Sequence, residues 1–206
     1  RPYLPAIPGL VLGSRVHTSD TIMRIDALPE RIVIVGGGFI AAEFAHVFSS
    51  LGSEVVQINR SPMLLRHHDG DISRRFTEVA GRMWEVRAGQ LPVEVRANND
   101  EVVLVCQDGS EERFDQMLVA AGRRTNADRL SPQATGVEVD EHGKVQVDEY
   151  QRTNVEGIWA LGDLSSPYEL KHVANHEMRV VKHNLAHPSP LALVAIAAGA
   201  FSRLLP

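Results

Sequence analysis

The chain has 206 residues, of which 44% are hydrophobic and 23% charged, as in a soluble globular protein of one or two domains. A formal net charge of −5 argues against a general nucleic-acid surface. No apolar run approaches the roughly 20 residues that cross a bilayer, and the single cysteine, Cys106, excludes an internal disulfide. A lone cysteine fits a reducing compartment, so we expect a cytoplasmic protein without a nucleic-acid or membrane partner.

The first half of the chain predicts a β-α-β unit. After an opening rich in proline and glycine, which predicts a loop, the apolar run 31–35 predicts a buried strand. Residues 39–52 predict a helix that Gly52 closes, and 54–59 predict the next strand. This order is the minimum for a parallel pair of strands with a helical crossover.

The middle of the chain predicts one more helix and a β meander. Residues 71–83 carry apolar side chains at helical spacing. Residues 93–122 alternate between apolar and polar side chains, with turn signals at 98–100 and 108–109. This pattern favours an antiparallel meander that leads into a buried strand at 117–121.

The last part of the chain predicts shorter elements. Residues 136–149 predict a hairpin that turns at His142–Gly143, and 157–163 predict a short strand that ends in a turn. Residues 171–187 predict a helix, which Pro188 ends.

Three small residues stand between the first predicted strand and its helix. Gly36, Gly38 and Ala41 form the pattern G-x-G-x-x-A. The first glycine allows a tight turn, the second lets a pyrophosphate approach the backbone, and the alanine lets helix and sheet pack closely. The phosphates then bind the N–H groups of the helix N-terminus. The pattern favours dinucleotide binding over a tight turn without a ligand.

Two arginines follow the second strand of this unit. In NAD-binding folds an acid about 20 residues after the first glycine binds the ribose 2′-OH. Here the region Gln57–Arg60 contains no acid, and Arg66 follows. A guanidinium binds a 2′-phosphate through charge-assisted hydrogen bonds, whereas a carboxylate would repel it. Arg60 and Arg66 therefore favour NADPH over NADH, the alternative being two solvated surface residues.

Four stretches resemble one family of enzymes. "IVIVGGGFIAAEFA", "NRSPMLLR", "LVAAGRRTNAD" and "VDEYQRTNVEGIWALGD" are similar to motifs of the flavin-dependent pyridine nucleotide-disulfide reductases, in the family's order. The resemblance implies an α/β fold. It consists of a Rossmann-like NAD(P)-binding domain, with a parallel sheet, helices and an antiparallel β meander, and a partial FAD-binding domain. The implied division is 1–24 as an FAD-domain remnant or linker, 25–146 as the NADPH-binding domain, 147–187 as a returning FAD-domain segment and 188–206 as an atypical tail.

The resemblance implies that both NADPH and FAD are cofactors. In the family, the glycine loop binds the NADPH pyrophosphate, two arginines bind the 2′-phosphate, and a later glycine lies beside the nicotinamide. The nucleotide contacts implied here are Gly36, Gly37, Gly38, Ile40, Arg60, Arg66 and Gly122.

The same resemblance implies a set of flavin-related residues. Phe39 matches an aromatic gate over the flavin, and Glu43 matches a glutamate that pairs with a lysine near it. Gly162 and Asp163 match the turn whose aspartate binds a ribityl hydroxyl. Lys171 matches a later backbone contact with the flavin.

Other family features have no match in the sequence. One cysteine cannot form the family's C-x4-C redox pair, and neither the FAD fingerprint expected before residue 1 nor the His-x4-Glu acid/base pair is found. The implied reaction is NADPH reduction of a small-molecule disulfide, with mycothione as the candidate because two stretches resemble the members that reduce it. We assign no catalytic residue, expect the disulfide site outside this chain, and expect the chain to be inactive alone. The family is homodimeric; the state of this chain is left open.

Alternatives remain at this point. The chain is otherwise a non-catalytic NADPH-binding module or gene fragment, or part of another family member, although an NADH-using member would require an acid near Arg60. His172, His176 and His183 share one predicted helix but have no third-ligand motif, so we expect no metal site. Cys106 is predicted within a strand, as a packed rather than a reactive side chain.

Overall fold

The computed structural model describes residues 1–187, 192 and 194. The chain divides into two compact units, which we call the N-terminal unit, Pro2–Arg123, and the C-terminal unit, Arg1 with the residues from Arg124 onward. The boundary between them falls at Arg123, whereas the sequence suggested domain limits near 24 and 146. The assignment of the segments to cofactor domains stays a prediction.

The N-terminal unit contains two sheets and two helices. Its elements are β1 Val16–Thr18, β2 Arg31–Val35, α1 Phe39–Ser50, β3 Glu54–Asn59, α2 Gly70–Ala80, β4 Glu85–Ala88, β5 Glu94–Ala97, β6 Val102–Val105, β7 Glu111–Phe114 and β8 Gln116–Val119. A parallel sheet has the order β1-β8-β2-β3-β4, and an antiparallel sheet has the order β5-β6-β7. The carboxyl ends of the parallel strands share one edge, which Gly36 and Arg60 follow directly.

The parallel sheet is buried on both faces. On one face Ile32 and Ile34 pack with side chains of the helices, and on the other Val33 and Val35 pack against the antiparallel sheet. Because successive side chains of a strand point to opposite faces, a strand covered on both sides is a continuous apolar run. The sequence "RIVIV" of β2 is such a run.

The structure confirms most of the predicted elements of this unit. Strands β2 and β3 have the predicted bounds, α1 and the meander are present, and Gly52 follows α1 at a φ of 101°. The helix predicted at 71–83 is α2, Gly70–Ala80, but not all of its apolar side chains are in the core. Ile72 is 57% exposed, whereas Ser73 is buried. Strands β1 and β4 had not been predicted, and the predicted strand 117–121 is β8.

The C-terminal unit is built of turns and one long helix, α3 Lys171–Ala186. The predicted hairpin of 136–149 closes at His142–Gly143 with a single bridge, Val139 to Val145, rather than with two strands. The strand predicted at 157–163 is likewise a single bridge, between Arg152 and Trp159. A small apolar cluster holds these turns together: Ala127, Val137, Val145 and Ala160.

Some expectations concern the end of the chain. Pro188 and most of the predicted tail lie outside the described residues. None of the helices described is long and apolar enough to cross a membrane.

Candidate functional site

The glycine loop begins where β2 ends. Gly36 has a φ of 147°, in a region that side-chain-bearing residues rarely adopt, and a Cβ there would overlap the carbonyl oxygen of Ala120. The N–H of Gly36 donates to the carbonyl of Ile58 at 2.9 Å. Position 36 therefore accepts only glycine, because strands β8 and β3 flank the turn on both sides.

The next two glycines lead into α1. A Cβ on Gly37 would overlap the carboxamide of Asn59, whereas nothing lies within 4 Å of a Cβ on Gly38. Gly38 is the N-cap of α1, and no side chain caps this end of the helix. Ala41, in the first turn, is fully buried and lets the helix pack closely on the sheet. An open, uncapped helix N-terminus fits a phosphate group, because its N–H groups and dipole favour negative charge.

Two exposed arginines flank this loop. Arg60 follows β3 directly, and no described residue forms an ion pair or hydrogen bond with its side chain. Arg66 is also exposed and its Nε lies 3.1 Å from Nε2 of His67. Between them, the N–H of Leu65 donates to the carbonyl of Gly37 at 2.6 Å, which holds this segment against the glycine loop. Two cations therefore lie close to the open helix N-terminus.

The remaining predicted residues of the N-terminal unit lie nearby. Gly122 follows β8, which neighbours β2, and has a φ of 138°. Its carbonyl accepts a hydrogen bond from the N–H of Tyr3 at 2.9 Å. Phe39 is 49% exposed in the first turn of α1, and Glu43, one turn later, is also exposed. The topology thus brings the predicted nucleotide residues to one edge of the sheet.

One residue of this region was not recognised in the sequence. Gln57, in the middle of β3, is fully buried. Its Nε2 donates to the carbonyl of Gly36 at 2.9 Å, and its Oε1 accepts from the indole N–H of Trp84 at 2.9 Å. A glutamine within the apolar run "VVQI" is a signal that could have found it, since a buried carboxamide requires partners.

Three of the predicted flavin-related residues, Gly162, Asp163 and Lys171, belong to the C-terminal unit. Gly162 begins a 3₁₀ turn, Gly162–Leu164, with a φ of 67°. Its N–H donates to the carboxylate of Glu177 at 2.7 Å, and Glu177 is only 3% exposed. Asp163 is exposed in this turn, and Lys171 is exposed at the start of α3, whose N-terminus has no side-chain cap. The turn and the helix N-terminus therefore belong to one unit.

Two further expectations concern a metal site and the cysteine. In the part of the chain that the structure describes, no group of three or more His, Cys, Asp or Glu side chains is arranged to hold a metal ion. Cys106 follows β6 rather than lying within a strand, which corrects the expectation, and is partly buried with its thiol 3.9 Å from the carboxylate of Glu112.

Comparison with known proteins gives a consistent result. Residues 1–178 match the family of pyridine nucleotide-disulphide oxidoreductases. The chain is 55% identical to mycothione reductase of Mycobacterium tuberculosis over 183 residues, which are 88% of this chain and 40% of that protein. It is 34% identical to glutathione reductase of Burkholderia cepacia over 178 residues, which are 86% of this chain and 39% of that protein.

A solved structure has a similar fold. The HOCl-induced flavoprotein disulfide reductase RclA of Escherichia coli matches with a TM-score of 0.84 and 24% identity, over 94% of this chain and 44% of that one. At this identity the match shows the fold alone. The chain spans about 40% of the length of the curated relatives it matches.

Proposed function

Because the chain belongs to the pyridine nucleotide-disulphide oxidoreductase family, whose members use FAD and NAD(P)H, we propose that its N-terminal unit binds NADPH. We further propose that its C-terminal unit contributes contacts to FAD, in an enzyme that reduces a low-molecular-weight disulfide. The 55% identity to a mycothione reductase supports mycothione as the substrate.

The N-terminus of α1 is the part of the proposed site that binds the pyrophosphate. Gly38 has open space beyond its α-carbon, and the first-turn N–H groups of Phe39 and Ile40 have no side-chain acceptor. Backbone donors and the helix dipole together favour an anion there. This open N-terminus beside Arg60 is the observation that carries the proposal.

Arg60 and Arg66 select the phosphorylated nucleotide. Both are exposed cations next to the glycine loop, and the end of β3 presents Asn59, whose Nδ2 donates to the carbonyls of Ser61 and Met63. The segment 55–68 contains no acidic residue that could bind a 2′-OH or repel a 2′-phosphate. The pair therefore favours NADPH over NADH.

The other residues are assigned by family membership. When bound, NADPH supplies a hydride for the flavin, which passes the electrons on towards a disulfide. In this proposal Phe39 shields the flavin side of the nicotinamide site, Gly122 leaves room beside it, and Glu43 pairs with a lysine. Asp163 binds a ribityl hydroxyl and Lys171 approaches the flavin through its backbone. Cys106 is the only cysteine, so no redox pair is assigned to this chain.

Isothermal titration of the 206-residue chain with NADPH and with NADH tests the nucleotide assignment. Arg60→Ala is expected to weaken NADPH binding by about 1.5–3 kcal/mol, roughly 10- to 150-fold, and to leave NADH binding unchanged. Arg82→Ala is the matched control. Arg82 is equally exposed but lies just before β4, at the opposite edge of the sheet. Equal binding of the two nucleotides by the unaltered chain would contradict the assignment.

Flavin binding is tested separately by equilibrium dialysis against FAD. We expect the chain to retain flavin and Asp163→Ala to retain less. Retention equal in the two proteins would overturn the role of Asp163. Absence of retention in the unaltered chain would overturn the flavin half of the proposal without affecting the nucleotide half.

A further inference from the structure

The two carbonyls of the glycine loop are both held from inside the protein. The carbonyl of Gly36 accepts from Nε2 of Gln57 at 2.9 Å, and that of Gly37 accepts from the N–H of Leu65 at 2.6 Å. Leu65 adopts a φ of 52° to make its bond, a conformation that costs free energy for a leucine. The loop is thus fixed by two anchors, of which one is a side chain.

These anchors set the direction of the amides that follow. In a planar trans peptide the N–H points opposite to the preceding carbonyl. With the carbonyls of Gly36 and Gly37 turned inward, the N–H groups of Gly37 and Gly38 are turned away from the anchors. No described residue accepts a hydrogen bond from either N–H group. Two oriented donors therefore precede the open N-terminus of α1.

Packing alone does not explain a glutamine at position 57. The side chain is fully buried on the face of the sheet that α1 covers, among apolar neighbours, where a leucine or valine would fill space without polar atoms to satisfy. Trp84, 8% exposed, donates its indole N–H to Oε1 of Gln57 at 2.9 Å. That bond fixes which end of the carboxamide faces the loop, so that Nε2 meets the carbonyl of Gly36.

We propose that Gln57 is a positioning residue for nucleotide binding, which holds the carbonyl of Gly36 and thereby aims the N–H of Gly37 at the pyrophosphate, with Trp84 fixing its orientation. The inference rests on the proposed NADPH function. It requires a hydrogen-bond donor at the end of the side chain, and this requirement makes it testable by exchanging a single group.

Gln57→Glu converts the donor into a titratable one. A protonated glutamic acid can donate to Gly36 and accept from Trp84, as glutamine does, whereas a carboxylate cannot donate and repels the carbonyl. The two hydrogen-bond partners are an indole and a backbone carbonyl, and neither of them titrates. Burial among apolar groups raises the pKa of such a carboxyl. The variant is therefore expected to bind well when protonated and poorly when ionised.

The measurement is the dissociation constant of NADP⁺, which tolerates acid, for the 206-residue chain across the range from mildly acidic to mildly alkaline pH. The dissociation constant of each variant is divided by that of the unaltered chain at the same pH. This ratio cancels the effect of the ionisation of the nucleotide itself. We expect the ratio for Gln57→Glu to lie near one at low pH and to rise at least about tenfold as pH increases. Gln57→Leu is expected to bind at least about tenfold more weakly at every pH.

Gln116→Glu is the matched control. Gln116 is a second buried glutamine of the same sheet, 8% exposed on β8, where it contacts His17. It pairs with Ile32 near the start of β2, away from the glycine loop. Its ratio should stay constant across the pH range. A ratio that rises equally in both glutamate variants would mean a general effect of a buried charge and would overturn the inference.

The remaining outcomes separate the inference from the proposed function. A flat ratio for Gln57→Glu, together with normal binding by Gln57→Leu, would overturn the role of Gln57 while leaving NADPH binding intact. Failure of the unaltered chain to bind NADP⁺ would overturn both. If Gln57→Leu does not fold, the pH dependence of Gln57→Glu still tests the inference. The glutamate variant keeps both hydrogen bonds at low pH, where its carboxyl group is protonated.

Discussion

The two compact units differ in how completely their buried polar groups are satisfied. In the N-terminal unit Gln57 and Ser73 are almost inaccessible, and each makes a hydrogen bond through its side chain. In the C-terminal unit three buried side-chain atoms have no hydrogen-bond partner among the described residues: Gln151 Oε1, Ser165 Oγ and His176 Nε2. A buried polar atom without a partner costs about 1–3 kcal/mol, so the two units do not have the same margin of stability.

Backbone conformation follows the same division. Among the described residues, four other than glycine have a positive φ, and one of them, Leu65, lies in the N-terminal unit, where its N–H holds the glycine loop. The other three belong to the C-terminal unit: Ser131, Gln151 and Glu169. The strained backbone of Leu65 makes a hydrogen bond to the glycine loop. The backbone of Gln151 is also strained, and its Oε1 has no hydrogen-bond partner among the described residues. We therefore expect the N-terminal unit to be the more stable of the two.

The largest expected effect on stability is that of Gly36→Ala, a substitution in the N-terminal unit. The φ of 147° and the overlap with the Ala120 carbonyl would force the β2–α1 turn apart. We expect a loss of about 3 kcal/mol or more in the free energy of unfolding. Urea unfolding followed through Trp84 in a Trp159→Phe background measures it.

Gly38→Ala is the control for this effect. Nothing lies within 4 Å of its added methyl group, so the cost to stability should stay below about 1 kcal/mol. The methyl group instead enters the space assigned to the pyrophosphate, so NADPH binding should weaken. Equal destabilisation by the two alanines would contradict the distinction between a structural and a functional glycine.

The next largest effect is a separation of two unfolding transitions. The two tryptophans lie in different units, Trp84 in the N-terminal and Trp159 in the C-terminal unit. We expect the transition followed through Trp159, in a Trp84→Phe background, to come at about 1 M lower urea than that followed through Trp84, in a Trp159→Phe background. With a typical m-value, this shift corresponds to a difference of about 2 kcal/mol in the free energy of unfolding. Coincident transitions would mean that the chain unfolds as one unit.

The sequence predicted the parts of the fold whose residues are constrained locally. Strand β2 is an uninterrupted apolar run because both faces of the sheet are covered, and the meander is marked by turns at 98–100 and 108–109. Strands β1 and β4, "VHT" and "EVRA", stand at the two edges of the sheet and have no such pattern. Their pairing depends on neighbours distant in sequence, which a local pattern does not record.

The candidate site divides in the same way. The glycine pattern and Arg60 could be proposed from the sequence because the chemistry fixes residue type and spacing along the chain. The bond from Leu65 to Gly37 depends on a left-handed residue within the turn, and that from Gln57 to Gly36 depends on the strand register. Neither can be derived from spacing alone. Likewise, helical spacing predicted α2, but it did not predict that Asp69 caps the helix or that the Ser73 hydroxyl donates to the carbonyl of Leu65.

A smaller effect concerns charge. Glu112 accepts hydrogen bonds from Arg87, with an Nη2–Oε2 distance of 3.0 Å, and from Arg31 at 3.3 Å. The hydrogen bonds from Arg87 hold the pKa of Glu112 below its usual value, despite the opposing effect of burial. A lowered folded-state pKa contributes stability above the unfolded-state pKa, and this stability is lost as pH falls through the folded-state value. Glu112→Gln should therefore cost about 1.5 kcal/mol at neutral pH and progressively less in acid.

Asp148→Asn is the corresponding change in the C-terminal unit. Burial raises the pKa of Asp148, but hydrogen bonds from the backbone and side chain of Arg152 outweigh it and lower the pKa. This carboxylate is 38% exposed against 24% for Glu112, so solvent screens it more and the loss should be smaller. Urea unfolding at several pH values measures both, and a loss that is independent of pH would contradict the electrostatic explanation.

The smallest effect gives the most direct comparison, because the same substitution is expected to act with opposite sign in the two units. The hydroxyl of Ser73 donates to the carbonyl of Leu65 at 2.8 Å, so Ser73→Ala should cost about 1 kcal/mol and should also loosen the segment that carries Arg66. Ser165→Ala removes a buried hydroxyl that has no partner among the described residues, and should be neutral or stabilise by up to about 1 kcal/mol. Each change is followed through the tryptophan of its own unit. Equal losses would mean that the Ser165 hydroxyl finds a partner, and the contrast between the units would then rest on Gln151, His176 and backbone strain.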